Sequence, residues 1–146
     1  GIVINEINYN SSESFDPDDW IEIYNNSDST IDISTWLVKD SDDEHIFTIP
    51  SNTYLAANQY LVFCKDTQKF TTCFPNTTKF LGELGFGFGG SDAVRLYDQN
   101  GTLQDSVFYQ SSAPWPSCAE ETGYTLELIS PELNNELPGN WDCINL

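Results

Sequence analysis

The apolar residues of this chain come in short runs cut apart by clusters of Asn, Asp, Ser, Gly and Pro, and no stretch sustains a helical period. That pattern constrains the fold more than any other feature. A chain whose apolar residues do not recur at three- and four-residue spacing cannot bury a helix stripe, whereas short runs bury one face of a pleated strand. The runs fall at 2–7, 20–24, 31–33, 36–38, 45–49, 60–64, 93–97, 105–109 and 124–128. Residues 60–64, Tyr-Leu-Val-Phe-Cys, are mostly apolar and predict a central strand. Asp98-Gln99-Asn100-Gly101 separates two runs, and Asn-Gly between alternating strands signals a hairpin. About eight or nine strands with turn signals every 8–12 residues or so give the rhythm of an all-β sandwich or barrel.

The 146 residues suit one domain, taken as residues 1–146, and nine Phe, seven Tyr and four Trp supply its core. Five Lys plus Arg against 23 Asp plus Glu leave a formal net charge of −18. Nucleic-acid binding draws most of its affinity from basic groups on phosphates, so neither DNA nor RNA is expected as a partner, and anionic membranes are disfavoured too. No membrane-spanning run or signal peptide is visible. The chain starts at Gly1, lacks Met and enters a strand at once, which predicts a fragment of a larger parent protein.

Cys64, Cys73, Cys118 and Cys143 form no CxxC pair, and His45 is the only histidine, so a zinc site is poorly supported. An even cysteine count in a polar, strand-rich chain predicts two disulfides and an oxidising compartment, hence a secreted or cell-surface location. Of the three pairings, Cys64–Cys73 with Cys118–Cys143 is preferred, because each pair would tie neighbouring strands. The tryptophans of Pro114-Trp115-Pro116 and Pro138-Gly139-Asn140-Trp141 are expected to pack back on the sandwich; exposed sugar-stacking rings are the alternative.

Ile4-Asn5-Glu6-Ile7 is followed by Trp20-Ile21-Glu22-Ile23-Tyr24-Asn25, Ile31-Asp32-Ile33-Ser34-Thr35-Trp36, Phe47-Thr48-Ile49-Pro50 and Leu55-Ala56-Ala57-Asn58-Gln59-Tyr60-Leu61-Val62. Asp92-Ala93-Val94-Arg95-Leu96-Tyr97-Asp98, Asp105-Ser106-Val107-Phe108-Tyr109, Tyr124-Thr125-Leu126-Glu127 and Asn140-Trp141 complete the series. In order and spacing these motifs resemble the lamin tail domain in its bacterial, secreted form. The resemblance implies an immunoglobulin-like β-sandwich attached to other domains, with roles in attachment and protein interaction and with no catalytic residues. Two positions depart from it: Thr35 stands where the family usually has Gly, and Leu128 where it usually has Arg.

Three sets of residues offer chemistry. Asp16, Asp18 and Asp19, and separately Asp40, Asp42, Asp43 and Glu44, are acidic loops of the kind that hold Ca²⁺ through six to eight oxygens or so, although neither follows the EF-hand pattern. A solvated acidic turn is the simpler reading. Glu6 and Glu22 lie in two strands that could face one another, as a hydrolytic carboxylate pair would, and His45 could serve as a base; neither has a cleft or nucleophile elbow around it. Gly85-Phe86-Gly87-Phe88-Gly89-Gly90 matches a dinucleotide glycine pattern only formally, since a strand follows it instead of a helix. Asn10, Asn25, Asn76 and Asn100 head glycosylation triplets that arise by chance in such a chain.

The expected function is therefore a non-catalytic interaction or attachment module, monomeric, with other domains of its parent or cell-surface material as partners and no cofactor. The alternatives are a carbohydrate-binding module using aromatic stacking and Ca²⁺ in the Asp40–Glu44 loop, and a small hydrolase using Glu6, Glu22 or His45.

Overall fold

A computed structural model describes residues 1–146. Twelve strands and one short helix build two packed sheets: β1 (Ile2–Asn8), β2 (Trp20–Asn25), β3 (Ile31–Asp32), β4 (Leu37–Lys39), β5 (Ile46–Thr48), β6 (Tyr54–Leu55), β7 (Tyr60–Cys64), α1 (Thr67–Cys73), β8 (Phe80–Leu81), β9 (Asp92–Tyr97), β10 (Leu103–Tyr109), β11 (Tyr124–Leu128) and β12 (Trp141–Asn145). One sheet runs β12-β11-β1-β2-β7-β8, the other β10-β9-β4-β5, and β3 pairs with β6 beside them. The immunoglobulin-like sandwich is thus the fold.

Every pairing is antiparallel except β7 with β8, where Val62 meets Phe80. Between the sheets lie Ile4, Ile7, Ile21, Ile23, Phe63 and Leu126 from the larger sheet and Val38, Val94, Leu96 and Val107 from the smaller, all fully buried or nearly so. Leu128, which stands where the family pattern usually has Arg, joins them. Trp115 and Trp141 are buried with ring centroids 5.9 Å apart, so both pack back on the sandwich. Phe86 and Phe88 of the glycine-rich loop are also core residues. Gly87 lets Asp19 come close: a Cβ there would lie 2.6 Å from Asp19 Oδ2, which accepts the Phe88 backbone N–H at 2.7 Å.

The hairpin signal is realised between β9 and β10. Gly101 takes φ +79°, and Asp98 Oδ1 accepts the N–H groups of Asn100 and Thr102. Thr35 takes φ +62°, a region where a β-branched residue is strained. That is the physical reason for a glycine at this place in the family pattern. Thr35→Gly is expected to raise unfolding free energy by about 0.5–1 kcal/mol, the relief of strain exceeding the entropy gained by the unfolded chain. A denaturant midpoint equal to or below the parent's would reject this.

Four elements differ from the sequence reading. Residues 67–73 form α1, capped by Asp66, whose side chain accepts the Lys69 N–H. Seven residues are too few to show a helical period, and Phe70 is its one buried residue. The tail after Pro138, where no strand was expected, forms β12, which pairs with β11, Leu128 opposite Trp141 and Tyr124 opposite Asn145. The two-residue strands β6 and β8 are too short for a periodic signal of their own.

The disulfide expectation is half met. Cys118, in the short 3₁₀ turn Ser117–Glu120, is bonded to Cys143 of β12, with their Cα atoms 6.0 Å apart. The expected Cys64–Cys73 bridge does not form, and both thiols are free. The reason is α1: the chain after β7 coils into a helix instead of a neighbouring strand, so the two cysteines are never cross-strand partners. Cys64 is buried with Trp20, Val62 and Phe70, its thiol toward the Leu81 carbonyl at 3.5 Å, and burial pushes its pKa up to about 11.

Candidate functional site

The two acidic loops do not converge on a metal centre; nowhere do three or more His, Cys, Asp or Glu side chains gather as ligands. Their oxygens serve local turns and basic side chains instead. Asp16 pairs with Lys69 at 3.0 Å, which lowers its pKa, and also accepts the Asp18 N–H. Asp18 accepts the Asp19 N–H, and Asp19 turns inward to Phe88, where burial raises its pKa to about 6. In the second loop Asp40 accepts the Asp42 N–H and Asp42 accepts that of Glu44. Asp43 pairs with Arg95 at 2.8 Å, and Arg95 Nε donates to the Asp40 carbonyl. This loop is thus pinned to β9 by one guanidinium, and Glu44 is exposed. Of the residues considered for calcium, Asp40 and Asp42 cap backbone N–H groups of tight turns and Glu44 stays exposed, so in this structure their carboxylates do not point at one centre.

His45 is a member of that same loop. Its Nδ1 bonds Asp40 Oδ2 at 2.8 Å, which raises its pKa, and its ring stacks on Phe86. Its Nε2 lies 3.7 Å from Asp42 Oδ2, so both ring nitrogens face carboxylates. Of the glycosylation triplets, Asn25 is fully buried, its Nδ2 donating to the carbonyls of Ser29 and Leu55.

Glu6 and Glu22 do face one another, and the structure adds partners that the sequence reading missed. In the six-stranded sheet Glu6 lies opposite both Glu22 and Glu127, and Glu127 lies opposite Asp142. One row across β12, β11, β1 and β2 therefore presents four carboxylates on the outer face of the sandwich. Glu22 and Glu127 sit between aliphatic neighbours, in Ile-Glu-Ile and Leu-Glu-Leu, and Glu6 precedes one in Asn-Glu-Ile; the repeated acid inside apolar strands was the legible signal. Their common register was not.

The row depends on a bulge. Ile4 pairs with Ile23 and Glu6 with Glu22, leaving Asn5 as the extra residue. The bulge is held from the other side: Asp105 of β10 accepts the Ile4 N–H at 2.7 Å, and Asn135 donates to the Ile4 carbonyl at 3.1 Å. With the strand so shifted, the Asn5 amide comes to lie under the carboxylates and donates to Glu22 Oε1 at 3.1 Å, while Thr125 Oγ1 donates to Glu6 Oε2 at 2.7 Å. Burial, and after it the neighbouring Glu22 and Glu127, push Glu6 up to about 8 against the Thr125 hydrogen bond; burial raises Glu22 as well.

Apolar and aromatic groups frame the row. The Tyr24 and Tyr60 rings, cross-strand neighbours, lie 4.5 Å apart, and Ile129 and Ile144 are exposed. Beyond Glu22, a cavity of about 130 Å³ is lined by Trp20, Val62, Phe70, Phe74 and Thr77. The face offers a paired-carboxylate surface and an apolar slot, but no enclosing cleft of the kind that glycoside hydrolysis needs.

No helix is long and apolar enough to cross a membrane. Among curated proteins no sequence matches this chain. The family model of the lamin tail domain matches residues 1–111, from β1 to the end of β10. The remaining residues add β11 and β12 to the same six-stranded sheet.

Proposed function

Because the chain belongs to the lamin tail domain family, we propose that it serves as a non-catalytic interaction or attachment module of a secreted or cell-surface bacterial protein. The observation that supports this most is the outer face of the six-stranded sheet. The sandwich closes its core completely, yet leaves the carboxylate row, the Tyr24–Tyr60 pair and Ile129 and Ile144 open to a partner. A disulfide between Cys118 and Cys143 favours an extracytoplasmic setting. The partners are other domains of a parent protein or cell-surface material, met by a monomeric module through surface complementarity. With five basic residues against 23 acidic ones, nucleic acid is not among them.

Deleting residues 1–146 from the parent protein is expected to detach its other domains from the cell surface or from one another. Cell fractionation and analytical ultracentrifugation of the truncated and intact proteins would read this. Unchanged retention and unchanged interdomain contacts would reject the module's role. Turnover of ester, phosphate or glycoside substrates by the isolated domain, abolished by Glu6→Gln or His45→Ala, would reject the non-catalytic part.

A further inference from the structure

The carboxylate row has no countercharge of its own. None of β1, β2, β7, β8, β11 and β12 contains a Lys or Arg. Every ion pair of the molecule lies elsewhere, on Asp16, Asp18, Asp40, Asp42 or Asp43. Carboxyl groups held half-buried without a countercharge are costly to ionise, and ionised neighbours on adjacent strands repel one another.

A second observation points the same way. Asn5 is only 5% exposed, and its Oδ1 has no hydrogen-bond partner, although its Nδ2 is engaged with Glu22. A buried acceptor beneath a row of acceptors lacks a donor, not another anion. The cavity beyond Glu22 adds an apolar slot with aromatic walls and a carboxylate at its rim, which suits the long stem and charged head of a basic side chain.

We propose that the outer face of the six-stranded sheet docks an extended cationic polypeptide segment with Arg or Lys at alternate positions, laid across the strands along Asp142, Glu127, Glu6 and Glu22. The spacing selects this form of partner. Neighbouring strands are roughly 4.8 Å apart, so the four carboxylates extend over roughly 14 Å. An extended segment places alternate side chains roughly 6.8 Å apart on one face, so three basic residues span nearly the same length. The inference rests on the interaction-module reading and names the chemistry of its partner.

The test is fluorescence anisotropy with a labelled pentapeptide alternating Arg and Ser. The combined variant Glu6→Gln, Glu22→Gln, Glu127→Gln is expected to weaken binding at least about tenfold. Removal of three charges elsewhere, Asp28→Asn, Glu44→Gln and Glu121→Gln, should change it less than about twofold. Glu127→Lys alone, at the more open end of the row, should also weaken binding at least about tenfold and guards against a triple variant that does not fold. Equal losses from both triple variants would mean a diffuse acidic field and overturn the proposal. So would equal affinity for a peptide with the same arginines placed consecutively, or for spermine, or for Ca²⁺ that displaces the peptide. If the pentapeptide fails to bind while deletion of the domain still detaches the parent, this inference falls and the module reading stands.

Discussion

Glu6→Gln is expected to stabilise the domain at alkaline pH and to leave it unchanged in acid. The Glu6 carboxyl is raised from 4.5 to about 8, chiefly by burial, with Glu22 and Glu127 adding repulsion. Below the unfolded value the group is protonated in both states and contributes nothing to the difference. Between pH 4.5 and about 8 the unfolded chain has released its proton while the folded one holds it, so stability falls as pH rises. Above that range the folded domain contains the ionised carboxylate, at a cost on the order of 4 kcal/mol. Glutamine keeps an acceptor for the Thr125 hydroxyl and cannot ionise, so the variant escapes the penalty. Urea unfolding at pH 4 and pH 9 checks this: the two proteins should coincide at the lower pH and separate by a few kcal/mol at the higher. A constant difference at both values would place the effect in packing, not in charge. Glu22 is raised too, so Glu22→Gln should follow the same direction. A face that is destabilising when empty and ionised is one on which a cationic partner would restore stability.

Loss of the Cys118–Cys143 bridge is the second large effect expected. It closes a loop with a sequence separation of 25, for which chain entropy gives about 3.5 kcal/mol. It also fixes β12, an edge strand whose outer side has no neighbour, to the 3₁₀ turn Ser117–Glu120. Cys118→Ser with Cys143→Ser should therefore lower unfolding free energy by roughly 3 kcal/mol and loosen β12 before the rest of the sheet. Hydrogen exchange reads the second part: amides of residues 141–145 should lose protection in the variant while those of β1, β2 and β7 keep theirs. Reductant should reproduce the effect in the parent protein. Uniform loss of protection would show that the bridge stabilises the whole sandwich through the unfolded state alone. The free thiol at Cys64 is buried and pushed up to about 11, so it should stay unreactive to alkylating reagents until the domain unfolds.

The sheet-forming segments were legible because each repeats a local rule. Runs such as Ile2-Val3-Ile4 and Tyr60-Leu61-Val62-Phe63 bury apolar groups at strand spacing, and Asn100-Gly101 provides the turn that returns β9 into β10. Thr35 shows a finer case. Its departure from a glycine pattern was visible in the sequence, and its positive φ supplies the reason. Helix α1 was not legible, being shorter than two full periods, and it alone removed the Cys64–Cys73 pairing. In the acidic loops, composition counts carboxylates without saying where they point. Asp40, Asp42 and Asp43 each found a nearer partner in an N–H, a histidine or Arg95.

Strand identity and hairpin position follow from the order of residues, because each rests on neighbours within a few positions along the chain; acidity follows from composition, and the sandwich from the ordered set of motifs along the whole chain. The row of Asp142, Glu127, Glu6 and Glu22 rests on register among four strands that are far apart in sequence. A one-residue slip would turn any of them to the other face. That register is set by the Asn5 bulge, and the bulge is held by Asp105 and Asn135 from distant parts of the chain. Only the folded sandwich brings those groups together.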